Sequence, residues 1–235
     1  MALKESEGVV AVVEKDNLGG TKFTLDSGVY EFTVKSMYPV KNARGTTSMQ
    51  LVLETPDKKL FSPLIYFMDA KGDMTTVATY GEEKGKLVDN IGKRLLDNIC
   101  QMAVGKSLVQ VSNSEAKKMV VKQFSKPPEN IQVDMYMDMI GAKVTLGILE
   151  TRKNKQADPG NGGKWVDTNE ERIENTIHKV FSSDGFTKEE LDKKVPTPTF
   201  ITGWKEKYQG QLQDKFKPVT GGVTSGVPKP SASAF

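Results

Sequence analysis

Side chains able to hold a phosphate or stack on a flat ring gather at three places in this chain. Tyr38 runs into the basic turn Lys41-Asn-Ala-Arg44-Gly45. A second turn carries Lys58 and Lys59 and leads into a run holding Tyr66 and Phe67. The third place is a basic, glycine-rich loop, 152–164, that contains Arg152, Lys153, Lys155 and Lys164 and is followed by Trp165. Lysine and arginine neutralise phosphates in a salt-dependent way, and an aromatic ring beside them offers a face on which bases stack, at ~1–3 kcal/mol each. Lys35, on the polar side of its strand, joins this set. Each of these residues has a plainer use. Tyr30, Phe32 and Phe61 are expected in the core, because strand aromatics usually pack inward. Tyr38 and Trp165 divide evenly between stacking and packing, and isolated lysines simply solvate a surface.

Catalytic and metal chemistry has little to work with. One histidine, His178, and one cysteine, Cys100, exclude multi-histidine metal sites, cysteine-rich zinc sites and an internal disulfide framework. Ala103-Val-Gly-Lys-Ser107 superficially resembles a phosphate loop. The glycine needed five residues before Gly105 is replaced by Cys100, and the segment ends a helix instead of opening one. The turn at Asp184 lacks the alternating carboxylates of a calcium loop. The chain is therefore expected to be no enzyme and to need no cofactor or metal.

The elements that must position these residues follow from periodicity. Tyr30, Phe32 and Val34 alternate, as do Met49, Leu51 and Leu53, and a third strand spans 60–67 with Pro63 marking an edge or bulge. Leu87, Val88, Ile91, Leu95, Ile99 and Met102 recur at helical spacing up to Gly105. Strand-like runs resume over 108–111, 119–124, 131–139 and 143–150. Thr168 to Glu171 and Thr187 to Glu190 match capping boxes, yet Ile173, Ile177 and Phe181 also alternate as in a strand, so 169–181 stays open between helix and strand. A last helix is expected from Thr199, with Trp204, Tyr208, Leu212 and Phe216 on one stripe. Three strands, a helix and further strands is the order of an oligonucleotide/oligosaccharide-binding (OB) barrel, whose helix lies between strands three and four. The expected fold is thus mainly β: an elaborated OB-like domain over 1–195, a helix over 196–217 that braces the domain or joins copies, and a disordered glycine-, serine- and proline-rich tail over 218–235.

Length and composition agree with this. The 235 residues carry 33 basic and 30 acidic side chains, a formal charge of +3, spread evenly along the chain. Any basic surface must then be assembled by folding. No apolar run approaches ~18 residues, and the apolar stretch from Gly8 to Val13 is too short for a signal peptide, so a cytoplasmic, reduced setting is expected.

The segments Gly28 to Ser36, Gly45 to Glu54, the helix near 84–103 and Gly163 to Glu170 give the chain a further likeness. Over roughly residues 20–190 it resembles phage single-stranded DNA-binding proteins, above all the DNA-binding RNA polymerase cofactors of podoviruses that carry a virion RNA polymerase. The resemblance implies an OB fold, sequence-tolerant binding of single strands, and a role in phage replication or transcription in the infected bacterium. It also implies oligomers on DNA and contact with a phage polymerase or replication proteins. Such proteins often end in an acidic tail with a terminal aromatic. Phe235 is present here, but Pro218 to Phe235 holds no acidic side chain. The competing expectation is a polymerase or virion adaptor that uses a similar fold without nucleic acid.

Overall fold

The computed structural model describes residues 24–111, 114–121, 129–158 and 165–219. In chain order the elements are β1 (Gly28–Lys41), β2 (Thr47–Glu54), β3 (Leu60–Phe61), β4 (Leu64–Met68), β5 (Thr75–Val77) and β6 (Leu87–Asp89), then α1 (Ile91–Val104). β7 (Ser114–Val121), β8 (Glu129–Tyr136), β9 (Lys143–Ala157) and β10 (Val166–Phe181) follow, and α2 (Lys188–Asp192), α3 (Phe200–Tyr208) and β11 (Gln213–Asp214) complete the set. The fold is mainly β, as expected.

β1 is the spine of the main sheet. Its first half pairs antiparallel with β9, and its second half, from Thr33 on, pairs with β2. β10 lies outside β9, and β3 and β4 lie outside β2. β10 pairs with β9 alone among the described strands, so the expected barrel does not close. The first turn of α1 sits against β4 instead, and the outer edge of β10 faces α1 and α2.

One face of the sheet carries Phe32, Val34, Met37, Leu51, Leu53, Val144 and Leu146, all buried against Leu96, Ile99 and Cys100 of α1. Each such side chain contributes roughly 1.5–3 kcal/mol by leaving water. The helix is shorter than its periodicity predicts. Asn90 accepts from the Lys93 amide and starts it at Ile91, so Leu87 and Val88 belong to β6. Gly105, in the left-handed conformation, ends it. Cys100 is fully buried, and burial pushes its thiol up to about 12. It should therefore resist alkylation in the native protein near pH 8 and react once the chain is unfolded in denaturant; rapid stoichiometric labelling of the folded protein would contradict this packing.

The opposite face has two separate covers. Trp204 of α3 packs on Leu149 and Phe181. Gly147 makes room for it, since a Cβ there would stand 3.1 Å from the indole. The α3 helix ends at Tyr208, and Gly210 turns the chain with φ +70° while its amide donates to the Ser27 carbonyl. Leu212 and Phe216 therefore lie outside the helix that was expected to hold them. The second cover is the β7–β8 hairpin, whose Met119, Ile131, Val133 and Met135 pack on Tyr38 and Val40.

Beyond β1, strands β9 and β10 continue as a ribbon, to which β11 adds a short parallel pairing with β9 at Thr151 and Arg152. Residues 169–181 are strand, which settles the open alternative, and 152–157 are strand where a loop was expected. Thr168 caps no helix: its hydroxyl donates to the Lys155 carbonyl across the ribbon. The chain after α3 runs along this ribbon. Asn154 donates to the Thr168 and Lys217 carbonyls and accepts from the Lys217 amide, and Asn169 does the same for Val219. The tail expected to be disordered lies, beyond Val219, outside the described residues.

Candidate nucleic-acid interface

The structure does not bring the three predicted groups together. The turns carrying Lys41/Arg44 and Lys58/Lys59 sit at opposite ends of β2, eight residues long, and so about 25 Å apart at the rise of a strand. The Arg152 group lies on the ribbon, past the other end of β1. Lys164 lies outside the described residues.

Most of the predicted cations are already matched. Lys35 and Lys58 share Glu54 at 3.5 and 3.3 Å, and Lys59 meets Asp57 at 2.9 Å. The Lys58 hydrogen bond, with Lys35 adding to it, holds the Glu54 carboxyl below the usual range. On the ribbon, Arg152 bonds Glu171 at 2.8 Å and Asp214 at 3.1 Å and covers the Phe216 ring. Lys153 meets Glu174 at 2.5 Å and Lys155 meets Glu170 at 2.9 Å. These cross-strand pairs hold the ribbon together as much as they charge it. Trp165 stands at its edge, 47% exposed, beside a pocket of about 550 Å³ shared with Lys153, Lys155 and Arg172.

Tyr38 is not available for stacking. The ladder slips between Val34 and Ser36, which reverses the alternation, so Met37 turns into the core and Tyr38 goes to the other face. The β7–β8 hairpin buries it there to 5% exposure, and burial raises its phenol pKa.

The remaining set is coherent. The register aligns Val40, Ser48 and Tyr66 in one row across the sheet, and Tyr38, Gln50 and Leu64 in the next. The hairpin covers the β1 end of these rows. The β4 end stays open, with Tyr66 55% and Leu64 43% exposed, while Ile65 and Phe67, which alternate with them, point into the core. At the end of this ledge two turns touch. Gly45, at φ +86°, closes the first, with Asn42 accepting from the Arg44 and Thr46 amides. A Cβ on Gly45 would lie 3.3 Å from Ala70 of the second turn, which carries Lys71. Lys41, Arg44 and Lys71 are exposed and make no ion pair among the described residues. Leu64 and Lys71 escape the sequence reading, although the alternation over 64–67 and the Lys71-Gly-Asp turn both carry the signal.

The other candidates are structural. Trp204 donates to Nδ1 of His178 at 2.8 Å, which places a neutral imidazole's proton on Nε2. Burial first, then Lys179, Lys215 and Lys207, lower the His178 pKa. No cluster of three or more metal-ligating side chains occurs among the described residues, and no helix among them is long and apolar enough to cross a membrane. No protein-family model matches the chain, and a search of curated proteins finds no relative.

Proposed function

We propose that the protein binds single-stranded DNA on the open ledge of β2 and β4, acting in phage DNA replication or as a cofactor of phage RNA polymerase in the cytoplasm of the infected bacterium. The observation that carries this reading is the exposed pair Tyr66 and Leu64 on a sheet face that ends in three exposed cations, Lys41, Arg44 and Lys71, none of them in an ion pair among the described residues. A base stacks on Tyr66 and slides over Leu64, and the turns take the flanking phosphates. The β7–β8 hairpin walls the ledge on one side, which suits a thin single strand better than a rigid duplex. The bent β1, shared between two strand partners, and α1 beneath the sheet support an OB-like arrangement, elaborated and left unclosed. Trp165 and the ribbon form a secondary contact, where phosphates must displace carboxylates from Lys153 and Lys155. Exposed ion pairs are worth only ~0–1 kcal/mol, but the displaced carboxylates stay beside the phosphates and compete for the same lysines, so this contact is weak.

The test is an anisotropy titration with an unstructured labelled DNA oligomer at several salt concentrations. Tyr66→Ala should cost ~1–3 kcal/mol of binding at one salt concentration. Replacing Lys41 and Arg44 with alanine should flatten the slope of log affinity against log salt by about 1.4, the share of two phosphates on a single strand. Both variants should unfold like the parent. Absent binding at low salt, equal binding to duplex, or unchanged affinity in both variants would sink the reading.

A further inference from the structure

The β5–β6 hairpin, the start of α1 and α2 meet on one side of the molecule. Two concavities of about 430 and 470 Å³ adjoin there and share Ile91 and Arg94. One is apolar, formed by Val77 and Val88 of the hairpin with Tyr80 and Ile91. Val77, Tyr80 and Ile91 are 56%, 80% and 70% exposed, and Leu87, paired directly with Val77, is 70% exposed. Four large apolar side chains this open on one short segment are unusual for a free surface and mark a contact site.

The second concavity is cationic. Arg94, Lys179, Lys188 and Lys193 line it. Lys188 and Lys193 are held by Asp192 and Glu189 at 2.5 and 2.6 Å, one turn away on the helix. Arg94 and Lys179 make no ion pair among the described residues, and Lys179 sits over the Phe200 ring. The groove therefore has an apolar end, a local excess of two positive charges, and Arg94 at the joint.

We infer that this groove docks a short peptide segment of a partner protein that carries bulky apolar side chains followed by one or two carboxylates. The apolar side chains fill the space between the hairpin and Ile91, and the carboxylates meet Arg94 and Lys179 as charge-assisted hydrogen bonds. A nucleic acid fits the groove less well. Glu82 and Glu83 line the apolar end, with Glu83 alone of the two ion-paired among the described residues, to Lys86 at 2.9 Å, so a chain with one negative charge per unit meets repulsion over that half of the groove. A peptide with few charges avoids it. The groove involves none of the ledge residues Tyr66, Lys41, Arg44 and Lys71, so the inference stands apart from DNA binding.

A displayed library of random peptides, selected on the full chain and counter-selected on an Ile91→Ser/Arg94→Ala variant, tests it. Both side chains are exposed, so the variant should unfold at the parent's temperature. The expected result is enrichment of segments with leucine, phenylalanine or tryptophan beside aspartate or glutamate. A synthetic copy of the most enriched segment should bind the parent saturably and the double variant at least tenfold more weakly. It should leave binding of a labelled oligo-dT unchanged. Enrichment of basic segments, equal binding to the double variant, or no segment enriched over the variant would overturn the inference. Loss of oligo-dT affinity in the double variant would overturn it in favour of nucleic acid in the groove.

Discussion

Gly92→Ala should lower the midpoint of thermal unfolding by roughly 6–12 °C, the equivalent of about 3 kcal/mol for a chain of this size. The sign is not obvious, because alanine is the better helix former by ~1 kcal/mol. Packing decides it. Gly92 is the second residue of α1, and a Cβ there would lie 1.7 Å from the carbonyl oxygen of Tyr66 and 2.7 Å from its carbon. Those are backbone atoms, so no side chain can rotate away, and the helix or the strand must retreat by more than an ångström. Neither is free to do so. Asn90 donates to the Phe67 carbonyl at 2.7 Å, its amide donates to Met74, and Leu96, Ile99 and Cys100 are buried one to two turns later. Forced overpacking of this kind costs 1–3 kcal/mol or more, beyond what propensity returns. Gly203→Ala in α3 is the matched control. Nothing lies within 4 Å of a Cβ there, so propensity acts alone and the variant should gain up to ~1 kcal/mol. Differential scanning calorimetry on both variants checks the pair. A Gly92→Ala midpoint at or above the parent's would show that α1 does not rest on the β4 backbone. The same contact bears on the ledge, because Tyr66 presents its ring on the strand whose carbonyl α1 touches. Gly92→Ala should therefore also weaken single-strand binding.

How far the fold was legible follows from where one signal acted alone. The alternation of Tyr30, Phe32 and Val34 and the capping box at Thr187 each correspond to one local element, and each forms where expected. The capping match at Thr168 fails because a sixteen-residue strand has a ladder partner in β9, and cross-strand pairing outweighs a local cap. The stretch 152–157 reads as a loop because neither of its faces is apolar. What holds it as strand is the backbone ladder to β10 and the buried Asn154 and Thr168 bonds across it, with Arg152, Lys153 and Lys155 matched to Glu171, Glu174 and Glu170, 15 to 21 residues on. Tyr38 shows the limit for the site. A one-residue slip in the ladder exchanges faces for everything after it, and nothing near Lys35 or Ser36 announces the slip. Lys41, Arg44 and Tyr66 were legible as a basic turn and an alternating aromatic. The meeting of the Lys41–Arg44 turn with Leu64, Tyr66 and Lys71 was not, because it depends on β4 lying beside β2.

Glu190→Gln should destabilise the protein by on the order of 3 kcal/mol at neutral pH, and this cost should fade in acid. Glu190 is 8% exposed and joins two helix starts. One carboxylate oxygen accepts from the Thr187 amide at 2.9 Å and from its hydroxyl. The other accepts from the Thr199 amide and hydroxyl and from the Phe200 amide at 2.8 Å, at the start of α3. Burial alone would raise its pKa, but these donors outweigh burial and bring it down to about 2. An ordinary glutamate in the unfolded chain titrates near 4.5. The folded value is the lower one, so the ionised carboxylate stabilises the fold fully above about pH 4.5, and the contribution is lost as pH falls toward 2. Glutamine keeps the shape but turns an NH₂ toward amides that can only donate, which leaves buried donors unmatched. The midpoints of parent and variant, measured from pH 7 to pH 3, should therefore converge below pH 4.5. A gap that stays constant over that range would mean that Glu190 acts by packing and not by charge. A variant as stable as the parent at pH 7 would mean that the apolar contacts of Ile201, Trp204 and Tyr208 are enough to secure α3 on the sheet. The convergence distinguishes a charge shared between two helix starts from a side chain that merely fills space, because protonation removes the first and leaves the second.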